Sequence, residues 1–530
     1  MSDASQPRYS LLDEPWIPVV YDNGQFDRLS LRAIWDELPR IRELWHTTPT
    51  IVVTLHRLLM AIWYRADAES WRSIDAKMDC LDRQQAPVQR ILEYLESHRA
   101  SFDLFDAERP FYQVATLRDD PKMNPGPNTI LRHSAVPHFD QSDDDNPTPI
   151  PASEVVLWLL SHQGYALGGR ITNSSDSVYA AHLVNGLVVL LRGRNLFETL
   201  VYSMPIYNQT KPFVYLDSAF DTDIPAWEQP TPVQAKRIPY GWLDVLTWQS
   251  RRVLLLPEWI DQQWKVRRVI VSGGYDLDDR AFRDPMQFQR TTKDGPRLLK
   301  MNVDRATWRD LMPCLAAYTT NDSKEDGIGG VIKPDVLDEL EEMSNSAHVR
   351  IQVIGIGNDK GKMEIWRQEI VNVSAQIFTN TTMQIAIEQA LQACKNGELC
   401  MNTAMYVYAE EMLKRGGARK IRTEDITGYA HSLGWRVYYW GNLEQLYTEH
   451  VLYRLEALLA ITDPEALAEQ VSQITRIWFD TLVAYIQTVY GTSANAGLHA
   501  HGLHALSVGE RALIASFYKY GLRRKEVNDE

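Results

Sequence analysis

From about residue 372 to its end the chain reads as helix, and this run constrains the fold more than any other feature. Asp463 followed by Pro464 is a helix N-cap with proline at the first helical position. Leu467, Val471, Ile474, Trp478, Leu482 and Ile486 then recur every three or four residues, which places them on one helical face. Met383, Ile387, Ala390, Leu391 and Cys394 make another such face. Ser507 and Glu510 read as a capping-box pair ahead of a last helix, with Gly521 near its end. The pattern predicts helical stretches over about 375–415, 423–460, 463–490 and 505–522. Their apolar faces can bury one another in a four-helix bundle.

The preceding residues carry mixed signals. Trp16 to Val20 reads as a strand, and Asp22-Asn23-Gly24 carries the Asn-Gly pair of a tight hairpin. Ser30 can cap a helix through Glu37, and residues 50–65 are densely apolar and helical in character. Short strands are expected at 187–192 and 252–257, and helices near 304–318 and 334–343. Residues 119–151 are proline-rich and contain Asp143-Asp144-Asp145, so they read as a long loop. A chain of 530 residues is too long for one core. The expected class is therefore α+β, with a large irregular mixed domain over 1–372 and a four-helix bundle over 373–530.

Charge narrows the function. The net charge is −14, whereas a chain devoted to nonspecific grip on phosphate is usually basic. Contact with nucleic acid must then come from local clusters, and two are present. Residues 251–300 hold 11 Lys or Arg against 7 Asp or Glu, a local +4, and include Trp264-Lys265-Val266-Arg267-Arg268 between two strand-like runs. Lys414, Arg415, Arg419, Lys420 and Arg422 surround Gly416-Gly417 between the first two bundle helices. The four cysteines, Cys80, Cys314, Cys394 and Cys400, form no CxxC pair, which fits a reduced compartment and argues against structural zinc. Met1 to Ser10 is polar, and no apolar run approaches membrane-spanning length. A cytoplasmic protein without membrane contact is expected.

No HExxH, GxSxG or kinase signature occurs. His499, His501 and His504 share neither a strand face nor a helix face cleanly and have no interleaved carboxylate, so they read as a solvated loop. No metal, cofactor or catalytic set is expected. Gly355 to Lys362 is a near-miss to a phosphate loop. Five residues separate Gly355 from Gly361, and Met363 stands where a magnesium-binding hydroxyl is needed. It reads as a tight, exposed turn before a helix that carries Lys360 outward. A nucleotide-binding or hydrolytic enzyme built on Gly355 to Lys362 is the alternative. Gly164-Tyr165-Ala166-Leu167-Gly168-Gly169-Arg170 is a second glycine-rich stretch, where backbone could come close to another surface.

Several of these segments, in this order and spacing, resemble the CasA family, the large subunit of the type I-E CRISPR Cascade surveillance complex. They are Leu12 to Val20 (LDEPWIPVV), Glu108-Arg109-Pro110-Phe111, Gly164 to Arg170, Gly186 to Asn195 with Leu196 to Leu200, Gly355 to Arg367, and the helical ending. The resemblance implies a non-catalytic, DNA-binding subunit. Such a subunit recognises the protospacer-adjacent motif (PAM) of a target duplex from the minor groove. It also helps to start strand separation and forms a docking surface for a helicase-nuclease. The implied partners are other Cascade subunits, guide RNA and double-stranded target DNA.

By the same resemblance, Gly164 to Gly169 and Arg170 approach base edges. Lys265 enters the groove, with Arg267 and Arg268 as rivals. Asn358-Asp359-Lys360-Gly361 is the wedge, with Lys360 where the family usually carries glutamine. Lys414, Arg415, Arg419 and Lys420 are candidate phosphate contacts, and the loop 128–150 with Phe139 reaches toward the guide RNA and a neighbouring subunit. The minor groove discriminates bases poorly, so such a reader tolerates degenerate motifs. A wedge costs on the order of a few kcal/mol per unstacked step. Pairing with the guide then carries the sequence test.

Overall fold

The structure is a computed structural model that describes residues 6–120, 125–127, 147–171, 177–184, 186–207, 223–277, 284–292, 295–300, 308, 309, 312, 315, 331–341, 343, 348–359, 362–414, 421–494 and 500–523. Two compact units divide the chain. One comprises Met1–Asp310 and Thr319–Ala375, the other Leu311–Tyr318 and Gln376–Glu530.

The first unit opens with a three-stranded antiparallel sheet of β1 (Ile17–Tyr21), β2 (Phe26–Leu29) and β3 (Ile41–Leu44), with β1 in the centre. The expected turn joins β1 to β2, and Gly24 adopts a positive φ of 82° there. Helix α1 (Pro49–Ala66) begins with proline at its first position. It is apolar nearly all round and buried along most of its length, as such a composition requires. Trp63 on α1 meets Trp35 and Trp71 edge-on, with ring centroids 6.1 and 5.2 Å apart. Helix α2 (Ala152–Tyr165) packs against α1 and leads into a short ladder of β4 (Gly169–Arg170) with β5 (Ser177–Val178). Strand β6 (Val188–Arg192) follows, and Asn195 then caps α3 (Leu196–Ser203) by accepting from Glu198 N at 2.9 Å.

Two long hairpins complete this unit. β7 (Arg251–Ile260) pairs with β8 (Gln263–Gly273), and β9 (Arg350–Asp359) pairs with β10 (Lys362–Ser374). β9 also pairs with β6, giving the strand order β10-β9-β6. The helix expected after Gly355 to Lys362 is therefore a strand. Val371 and Val373 are buried on either side of exposed Asn372, so the local period is two rather than 3.6. The helix expected at 334–343 is a turn of α-helix, Asp335–Asp338, followed by a 3-10 turn, Glu339–Glu341. Most of 304–318 lies outside the described residues.

Two ion pairs are buried in this unit. Arg57 on α1 reaches Asp284 at 2.9 Å, with both side chains almost wholly covered. Lys77 meets Glu339 at 2.8 Å, and the other Glu339 oxygen accepts from Ile206 N at 2.6 Å.

The second unit is helical: α4 (Thr381–Leu413), α5 (Thr423–Ser432), α6 (Trp435–Tyr447), α7 (Pro464–Ser493) and α8 (Ala500–Lys519). α4 lies against α7 and α8. Every stripe residue expected on α7 is buried. Trp478 Nε1 donates to Ala390 O at 3.2 Å, and Tyr439 OH donates to Cys394 O at 2.5 Å. The second expected stretch is broken at Gly434, whose φ of 66° ends α5 and lets α6 set off afresh. The last helix starts at Ala500, so Ser507 sits inside it rather than capping it. Cys80, Cys394 and Cys400 are buried free thiols.

Candidate nucleic-acid interface

The glycine-rich stretch is shorter as a loop than the sequence implies. Gly164 and Tyr165 form the last turn of α2, and Tyr165 and Ala166 are buried. A Cβ on Gly164 would sit 2.9 Å from Leu183 Cδ1, so this glycine serves helix packing. The structure therefore places Gly164, Tyr165 and Ala166 in buried positions rather than in an exposed loop. Leu167 and Gly168 are half-buried, and exposure begins at Gly169. The neck is closed by Ala181 N donating to Ala166 O at 2.8 Å. At Gly168 a Cβ would lie 2.8 Å from Ala180 N, so the two legs approach too closely for any side chain. Gly169 is exposed with a φ of 141°, a conformation that glycine alone adopts freely, and Arg170 is exposed beside it.

Lys265, Arg267 and Arg268 lie within β8, not in the loop between strands. The actual turn is Asp261-Gln262, with φ of 50° and 61°. Leu256 pairs with Arg268 and Pro257 with Val266, which leaves Arg267 as the extra residue of a β-bulge. The Lys265 side chain is only 13% exposed, and its ammonium meets Asp261 at 2.8 Å. That hydrogen bond holds the Asp261 carboxyl below its ordinary range. Arg267 approaches Glu258 at 3.4 Å. The basic cluster is thus interleaved with carboxylates, which sequence counting across 50 residues hides.

Two features here escaped the sequence. Trp259, at 60% exposure, packs edge-on to Trp264 at 5.0 Å and gives the hairpin an aromatic tip. Two tryptophans flanking a turn were the available signal. The free edge of β8 is also occupied. Arg268 pairs with Pro127 and Val269 with Gly126, while Lys265 pairs with Pro151 and Val266 with Ile150. Both feet of the long proline-rich segment therefore stand on the strand that carries the basic residues. Phe139, in that segment, lies outside the described residues.

Asn358 and Asp359 end β9, and the pair Asp359–Lys362 closes the hairpin. Lys360 and Gly361 lie outside the described residues. A phosphate loop needs a glycine turn that opens a helix, whose N-terminal N–H groups receive the phosphate. Here two antiparallel strands flank the segment, and Gly355 lies within β9, where a Cβ would meet Gly186 O at 2.6 Å. Among the described residues, no helix N-terminus stands beside this segment to receive a phosphate.

In the helical unit, Lys414 is exposed but paired to Glu411 at 2.7 Å and Glu410 at 3.2 Å, which hold its ammonium above the ordinary lysine range. Arg415, Arg419 and Lys420 lie outside the described residues. His501 and His504 belong to α8 rather than to a loop, and His499 lies outside the described residues. Among the described residues no group of three or more His, Cys, Asp or Glu could hold a metal, and no helix is long and apolar enough to cross a membrane.

These elements coincide with a family pattern. Residues 10–482 match the model for CRISPR-associated protein Cse1. A CRISPR-associated protein CasA/Cse1 from Thermus thermophilus is 27% identical over 465 residues, covering 83% of this chain and 86% of its own. The Cse1 structure from Acidimicrobium ferrooxidans shares the fold at a TM-score of 0.76 and 20% identity, covering 97% of this chain and 98% of that one. A chain of a CRISPR RNA-guided surveillance complex aligns at a TM-score of 0.63 and 17% identity over 96% of this chain and all of its own. The matched span takes in the glycine-rich loop, both long hairpins and most of the helical unit, and on that match the chain belongs to the Cse1 family of CRISPR-associated proteins.

Proposed function

We propose that this chain is the large, non-catalytic subunit of a type I-E CRISPR RNA-guided surveillance complex, where it recognises the PAM of a target duplex from the minor groove. The observation that carries this reading is the exposed strand β4, Gly169–Arg170, led in by half-buried Gly168, in a Cse1-family chain. Its glycines offer backbone carbonyls and N–H groups unshielded by side chains, with Arg170 beside them, which suits the acceptor-rich, degenerate minor groove. Lys265, or its neighbours Arg267 and Arg268, supplies the cation in the groove. Lys265 must first leave Asp261, so part of its attraction for DNA offsets a broken ion pair.

The hairpin β9–β10, with Asn358, Asp359, Lys360 and Gly361 at its end, is the proposed wedge. With lysine in place of glutamine, strand separation leans on charge. Lys414, Arg415, Arg419 and Lys420 are proposed phosphate contacts of the helical unit. The segment containing Phe139 is proposed to meet guide RNA and a neighbouring subunit, supported by the anchoring of both its feet on β8. Binding of the duplex would also complete a docking surface for the helicase-nuclease.

Equilibrium binding of a target duplex by the assembled complex tests the assignment. Lys265→Gln and Lys360→Gln should each weaken binding, and unchanged affinity in both variants would overturn it. Stoichiometric binding of ATP and magnesium by calorimetry would instead favour an enzyme.

A further inference from the structure

Glycine carries no side chain to hold itself in place, so beyond the short β4–β5 ladder, whatever fixes the exposed Gly169 must come from its surroundings. Arg251, the first residue of β7, is buried directly under the neck of the glycine hairpin. Its Nη2 donates to Leu167 O at 3.0 Å and to Tyr179 O at 2.7 Å, and its Nη1 donates to Ser250 O at 2.9 Å. Leu167 and Tyr179 are on the outgoing and returning legs of the excursion, one and two residues beyond the backbone bond between Ala166 and Ala181. One guanidinium therefore ties both legs together.

The Arg251 backbone is itself fixed. Gln163, on the last turn of α2, donates from Nε2 to Arg251 O and accepts from Arg251 N, both at 3.0 Å. Ser250 Oγ donates back to Gln163 O at 2.6 Å. Burial lowers the Arg251 pKa to about 10, which leaves it charged at neutral pH. The hydrogen-bond acceptors its guanidinium meets are main-chain carbonyls, which its fork geometry matches, and Asp276 favours its charged form electrostatically.

We propose that Arg251 is the positioning residue of the glycine hairpin, setting the place of Gly168 to Arg170 relative to the base of the β7–β8 hairpin. This rests on the reading of that hairpin as the groove-facing element. A backbone reader discriminates only if its carbonyls and N–H groups are held to a fraction of an ångström, and that precision comes from the supporting layer. Lysine cannot replace the fork, because a single ammonium cannot span both legs in the same planar arrangement. Gly168 serves the same neck from the other side, since a Cβ there would press on Ala180 N.

The test uses Arg251→Lys, Arg251→Gln and Gly168→Ala. Hydrogen exchange is measured on the isolated chain. Binding is measured on the complex assembled with guide RNA, against target duplexes randomised in the flanking motif. All three variants should speed exchange at residues 166–171 and 177–181. All three should lower affinity for the preferred flanks at least tenfold, with affinity for disfavoured flanks unchanged. The two Arg251 variants should behave alike. Unchanged exchange in all three overturns the clamp. Rescue by Arg251→Lys, with equal losses on every flank and a shallower salt dependence in Arg251→Gln, overturns it in favour of a simple phosphate contact. Faster exchange with intact discrimination leaves the clamp standing as a structural feature and overturns its role in recognition.

Discussion

Lys77 shows how far a residue's role can lie from its sequence neighbourhood. It sits on the helix Ile74–Arg83, among polar residues that would put a lysine in water. Instead it is wholly buried against Glu339, 262 residues away. Only tertiary packing could reveal that pair, whereas the cap at Asp463 is local and was legible. Lys77→Met leaves Glu339 buried without its cation and should cost about 3–5 kcal/mol in denaturant unfolding. Glu154 makes a different prediction. Its Oε1 meets His46 at 3.2 Å and its Oε2 accepts from Arg28 at 2.8 Å. The His46 hydrogen bond, reinforced by Arg28 and opposed by burial, holds the carboxyl at about 2, below its ordinary 4.5. A depressed carboxyl stabilises the fold above its ordinary value and loses that contribution as pH falls toward 2. Glu154→Gln should therefore narrow its stability gap to the parent as pH drops from about 5 to 2, and a gap independent of pH would contradict this account.

Elements were legible where one periodicity ran long. The stripe on α7 and the apolar α1 follow directly from their sequences. Trp478→Ala removes a fully buried indole and its bond to Ala390 O, and should cost about 3–5 kcal/mol. Elements were misread where turn chemistry outweighed period. The glycines at 355, 357 and 361 drew attention to a loop, yet Gly355 lies inside a strand because β6 and its approach press close at Gly186. Gly355→Val should destabilise by about 1–3 kcal/mol through overpacking. The same bias made a loop of Gly164, which packs a helix, and placed Lys265 between strands rather than within one. Within the candidate segments, which residues are exposed was not legible. Exposure depends on which partners cover them, and Leu183, Asp261 and Pro151 all come from outside each motif.

At the scale of the whole molecule, a net charge of −14 and basic residues already paired to carboxylates leave little surplus for gripping phosphate. The proposed reader must then gain affinity from a few placed contacts and from its partners, not from a general field. The most direct test compares complexes assembled with guide RNA in the presence and absence of this chain. Affinity is measured for a matched target duplex with preferred or scrambled flanks, and for the matched single strand. The account predicts that this chain confers at least tenfold discrimination between flanks on the duplex, and that its removal abolishes the discrimination while binding to the single strand persists. Equal flank discrimination without the chain would contradict it.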